Sequence, residues 1–114
     1  MSRAKTPRPP KTFNDFSARF PRIAEAWQIL GEGGLEGPLD EKTARLIKLG
    51  ISIARQTEGG THSATRKALG AGATAEEIYQ VVALAASTVG LPSTVAAFTW
   101  VEDALKNGRG PGKP

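Results

Sequence analysis

The stretch ALGAGATAEEI, residues 68–78, holds a helix stop and a helix start within a few residues of each other. Gly70 or Gly72 can end an upstream helix, because glycine enters the left-handed conformation of a helix end without steric cost. Thr74 and Glu77 then form a T-x-x-E capping box, in which each side chain satisfies a backbone N–H at the start of the next helix. A chain punctuated in this way folds as helix, tight turn and helix.

The same punctuation recurs along the chain. The spacing predicts a short helix over FNDFSARF, ending before Pro21. Pro21 suits the first turn of a second helix, in which Ile23, Trp27 and Leu30 fall at i, i+4 and i+7 and which Gly31 ends. The loop GEGGLEGPL that follows reads as flexible. Asp40 is an N-cap for EKTARLIKLGISIARQ, with Glu41 at the start and Arg55 near the end, as the helix dipole prefers. A fourth helix runs from about Thr61 to Leu69. The fifth places Ile78, Val81, Val82, Ala85 and Val89 on one face and stops at Gly90. The sixth is expected to turn Val95, Phe98, Val101 and Leu105 inward and to close at Gly108. No alternating run flanked by turn residues marks a strand. The fold class expected is all-α, with about six helices.

A chain of 114 residues suits one domain, here residues 12–108. Residues 1–11 contain Arg3, Lys5, Arg8 and Lys11 with three prolines and no acid, and residues 109–114 add Arg109 and Lys113. Both segments read as disordered tails. They carry more than the whole formal net charge of +4, so the folded part is slightly acidic. A nucleic-acid-binding domain concentrates its cations on the folded surface, and that function is not expected here. No apolar run reaches the length of a membrane span, and the first residues lack the apolar core of a secretory signal. A cytoplasmic protein is expected. The sequence has no cysteine and one histidine, which excludes thiol chemistry and zinc–thiolate sites. No metal site and no cofactor is expected, since the acids show no ligand spacing apart from Glu58 and His62.

In the third helix Glu41, Arg45, Lys48, Ser52 and Arg55 make one narrow polar stripe. Leu46, Ile47, Leu49, Ile51, Ile53 and Ala54 cover the rest, a wider apolar surface than one small monomer readily buries. The stripe has two readings: a face toward a carboxylate substrate, or a solvated or intersubunit surface. Trp27 and Trp100 read as core or interface anchors, and Tyr79 as a packing-edge residue.

The order of motifs, LDEKTARLIKLGISIAR followed by HSATRKALGAGATAEEIYQVVALAASTVGLPSTVAAFTWVEDAL, resembles the carboxymuconolactone decarboxylase family, which includes the alkylhydroperoxidase D-like proteins. KALGAGATAEEIYQVV with the later GLP is its most specific part, and the resemblance spans about residues 38–106. It implies an all-helical fold that assembles as a homotrimer or homohexamer, with a site near the start of the helix holding His62. The family's peroxidase branch carries C-x-x-C-x-x-x-H on that helix and a glutamate one helix earlier. The cysteine positions fall on Thr57 and Gly60, the histidine position on Ala64 and the glutamate position on Arg45. Threonine and glycine provide no thiolate, so peroxiredoxin-like activity is disfavoured. The decarboxylase branch has its histidine at the same position, now Ala64.

The residues that remain for chemistry are Glu58 and His62, four apart. On a continuous helix they are neighbours, and a carboxylate beside an imidazole fixes its tautomer and strengthens it as a base. The pair then moves a proton on a small organic acid or lactone. Alternatively Glu58 lies in a turn before the helix and only complements its dipole. Gly59 and Gly60 either permit close helix packing or bare N–H groups to an anionic ligand, with Arg45 as a further ligand-binding candidate. A non-catalytic oligomeric scaffold that binds a ligand or protein is the other class of function.

Overall fold

The computed structural model describes residues 11–107, and six helices fill almost all of that span. They are α1 (Lys11–Arg19), α2 (Pro21–Gly34), α3 (Glu41–Arg55), α4 (Glu58–Gly70), α5 (Ala75–Val89) and α6 (Leu91–Asn107). No strand occurs among the described residues. The expected disorder of residues 1–10 and 109–114, and the stop at Gly108, lie outside them.

The caps form as the sequence predicts. Asp40 accepts a hydrogen bond from the Thr43 amide at 2.8 Å at the start of α3. At α5 both halves of the capping box are made: the Glu77 amide donates to Thr74 Oγ1 (3.0 Å) and the Thr74 amide to Glu77 Oε1 (2.9 Å). Gly72 (φ +100) turns the chain between α4 and α5. Gln56 ends α3 in the left-handed region (φ 57), its side-chain amide donating to the carbonyls of Ile53 and Ser93.

α3 to α6 form the body. α4 and α5 each pack against both α3 and α6. Leu49 and Ile53 of α3, Ile78 of α5 and Val101 of α6 are fully buried, each burial contributing roughly 1.5–3 kcal/mol. α4 contributes small residues to this core: Thr61, Thr65 and Ala68, at i, i+4 and i+7. They let α3 and α6 each pack closely on α4. Thr65 Oγ1 donates to the Thr61 carbonyl at 2.8 Å, which offsets the cost of burying the hydroxyl.

Several boundaries and faces differ from the sequence reading. Lys11 belongs to α1, where it pairs with Asp15 at 2.9 Å, and not to the tail. α2 runs through Gly31 to Gly34, because glycine permits a helix end without imposing one; the first left-handed glycine is Gly37 (φ +143). α4 begins at Glu58, ahead of the glycine pair. Val95 and Phe98 are exposed rather than inward, since α6 meets α4 and α5 along the line of Thr94, Ala97, Val101 and Leu105. Neither α1 nor α2 buries a single residue. They pack on one another, with the Phe16 and Phe20 rings 5.0 Å apart, and the hairpin lies outside the core.

Candidate functional site

The polar stripe of α3 faces the small-residue row of α4 across a cleft of about 370 Å³. From α3 come Arg45, Lys48, Ser52 and Arg55, spaced so that one helix face carries all of them. From α4 come Gly60, Ala64 and Lys67, at i, i+4 and i+7, with Ser63 beside them. Thr57 closes the end where the two helices join, and Trp27 of α2 reaches over the opening.

Local packing explains how the inner end of the cleft is closed. Thr57 Oγ1 lies near the Ser52 carbonyl at 3.4 Å, and the Thr57 carbonyl accepts from the Thr61 amide at 2.9 Å. A Cβ built on Gly60 would come within 2.6 Å of Thr57 Oγ1, so glycine is required there for the turn to close. Ala64, one turn further on, lines the cleft and packs against the core.

The electrostatics of the cleft are one-sided. Arg45, Lys48, Arg55 and Lys67 line it, and no aspartate or glutamate does. Arg45 is the most enclosed of them, its side chain 18% exposed. Its Nε lies 3.6 Å from Glu41 Oε2 and makes no hydrogen bond, although the atom is buried. Partial burial, reinforced by the neighbouring Arg45, Lys48 and Arg66, pulls the Lys67 ammonium below its ordinary pKa. Both observations describe cations held close together at the expense of their own solvation, an arrangement that an anion relieves.

The residues expected from sequence divide between two places. Arg45 and Gly60 line the cleft; Glu58, His62 and Gly59 do not. Glu58 occupies the first turn of α4 and is exposed, while His62 is half-buried with Nε2 shielded from solvent and without a hydrogen-bond partner. No hydrogen bond or ion pair joins the two among the described residues. Continuous helix under Glu58 and His62 is therefore present, and the contact expected from it is not. Lys67 was legible as the next residue of the row Gly60, Ala64, Lys67. Trp27 had no such signal, because nothing local ties the register of α2 to that of α4.

Other groups are already engaged. Tyr79 donates to Glu102 Oε2 across α5 and α6, and Lys42 pairs with Glu77 at 2.9 Å. A larger cleft of about 520 Å³ separates α3 from α5, but Leu46, Ile47, Val81 and Leu84 make it mainly apolar. Among the described residues no group of three or more histidines and acids is placed to hold a metal ion. No described helix is long and apolar enough to cross a membrane.

The four positions at which the resemblance expects a dithiol, a histidine and a glutamate (Thr57, Gly60, Ala64 and Arg45) all line the α3–α4 cleft. Residues 21–103 match the sequence profile of the carboxymuconolactone decarboxylase family. The fold is similar to the crystal structure of an apo carboxymuconolactone decarboxylase family protein from Legionella pneumophila. That match has a TM-score of 0.74 and 23% identity, over 87% of this chain and 89% of that one. No curated protein matches the chain significantly.

Proposed function

Because this chain belongs to the carboxymuconolactone decarboxylase family, we propose that it keeps the cleft in which the resemblance expects reactive groups and uses it to hold a small organic anion, within a homo-oligomer. The observation that carries this reading is the lining: Arg45, Lys48, Arg55 and Lys67 with no carboxylate. Arg45 is the principal ligand, since a half-buried guanidinium presents several donors in a fixed plane that suits a carboxylate. Lys67 and Lys48 supply further charge, and Ser52 and Ser63 supply hydroxyls at the rim. Reduction of peroxide by a dithiol forms no part of the function, because the chain has no cysteine.

Calorimetric titration of the full-length protein with a panel of mono- and dicarboxylates tests the reading. Arg45→Gln is expected to weaken binding about 10- to 100-fold, the range for losing a charged hydrogen-bonding partner. Lys67→Gln is expected to weaken it less. Absence of binding across the panel, or binding indifferent to both substitutions, overturns the proposal.

A further inference from the structure

The cleft continues beneath the α1–α2 hairpin. A second hollow, of about 310 Å³, shares Trp27, Arg45, Lys48 and Lys67 with it and adds Phe13 and Leu30 from the hairpin. The two hollows make one space with unlike walls: a cationic floor from α3 and α4, and an aromatic and aliphatic roof from α1 and α2. Building on the anion-binding reading above, we propose that this roof, through Trp27, selects the anion's other end, and that the ligand is a carboxylate with a flat apolar body such as an aromatic acid.

The hairpin is built unlike a structural element. Neither of its helices buries a residue in the core, and Trp27 remains 57% exposed although it is the largest side chain of α2. The open indole overhangs a cleft lined by Arg45, Lys48, Arg55 and Lys67. Charge complementarity decides what fits between. The floor excludes a cationic or neutral apolar guest, because its ammonium and guanidinium groups would lose water without gaining a partner. A small inorganic anion satisfies the floor and leaves Trp27 and Phe13 in water. An aromatic carboxylate satisfies both walls, its carboxylate on Arg45 and Lys67 and its ring against the indole. The guanidinium plane of Arg45 adds a surface for stacking. Each hollow is within the size range of a small-molecule pocket. Gly60 and Ala64 put no large side chain on the α4 wall of the cleft.

The experiment compares two probes on three proteins. Calorimetry with 1-naphthoate and with acetate is run on the natural full-length chain, on Trp27→Ala and on Arg45→Gln. Circular dichroism and melting confirm that the variants fold; Trp27→Ala removes no buried contact. The natural protein is expected to bind naphthoate at least about tenfold more tightly than acetate, a margin within reach of one aromatic contact. Trp27→Ala should erase that preference while leaving acetate affinity within about twofold, and Trp27→Phe should restore most of it. Arg45→Gln should weaken both probes. Equal affinity for the two probes, or a preference that survives Trp27→Ala, overturns the role of Trp27 and leaves the anion site standing. Failure of both probes to bind overturns the anion site and this inference together.

Discussion

An added Cβ at Gly60 would lie 2.6 Å from Thr57 Oγ1, whereas one at Gly59 would meet nothing within 4 Å. The two glycines of one helical turn therefore respond oppositely to the same change. Gly59→Ala is expected to stabilise the protein by about 0.5–1 kcal/mol, the helix-propensity gain. Gly60→Ala is expected to destabilise it by about 1 kcal/mol net, as strain around Thr57 exceeds that gain. Adding Thr57→Ala should recover most of the loss, and denaturant unfolding of the double mutant reads the coupling. At the other end of the row, partial burial and neighbouring cations hold Lys67 below the ordinary lysine pKa. Anion binding needs the charged form, so affinity should fall as pH rises through that lowered value, earlier than the ordinary lysine range near 10.4. Lys67→Arg should remove this alkaline limb. A titration across pH 7 to 10 that shows no difference between the two proteins would discredit the assignment.

The elements owe their ends to local chemistry that can be tested separately from the cleft. Thr74→Ala breaks one half of the α5 capping box and is expected to cost about 1 kcal/mol. Glu77 carries the other half and pairs with Lys42 of α3, so it ties the start of α5 to its neighbour. The bond from the Thr74 amide, then the one from Lys42, hold the Glu77 carboxyl below its usual pKa. A carboxylate depressed in the folded state contributes stability that is full above the unfolded pKa and is lost as pH falls through the folded value. Stability should therefore decline on acidification from about pH 5 downward, and Glu77→Gln should make that decline shallower. Melting curves from pH 3 to 7 compare the slopes. An identical slope in the variant would remove Glu77 from the account. α2 shows the converse case, where Gly31 and Gly33 sit inside a helix that continues to Gly34.

At the scale of the whole molecule, much apolar surface stays uncovered. Ile47 of α3, Leu84 of α5, and Leu91 and Phe98 of α6 are exposed, and the α3–α5 cleft is largely apolar. Exposed apolar surface of this kind marks interaction sites, and the homo-oligomer proposed above would cover it with a second copy. Light scattering at micromolar concentration should give a mass well above the 12.0 kDa of one chain. Leu84→Glu, at a position 65% exposed and so harmless to the core, should lower that mass. A clean monomer in the natural protein would refute the assembly.

The caps of α3 and α5, the α3 stripe and the replacement of the family's reactive residues follow from sequence because each depends on residues three or four apart or on the identity of a single position. Asp40, Thr74 with Glu77, and the run Arg45, Lys48, Ser52, Arg55 needed no knowledge of the rest of the chain. The site needed it. Periodicity says that α3 has a polar face and that Ile23, Trp27 and Leu30 share a face of α2, but not what stands opposite either one. Only the packing of α3 on α4 turns the stripe into the floor of a cleft, and only the placing of the hairpin outside the core leaves Trp27 above that floor. The same holds for Glu58 and His62, which spacing makes neighbours but which no hydrogen bond joins, His62 Nε2 being buried without a partner. Backbone hydrogen bonds and caps are short-range and act within one element. The facing of elements is settled by buried side chains far apart in the chain, such as Leu49 and Ile53 of α3, Ile78 of α5 and Val101 of α6 in one cluster, which no local pattern brings together.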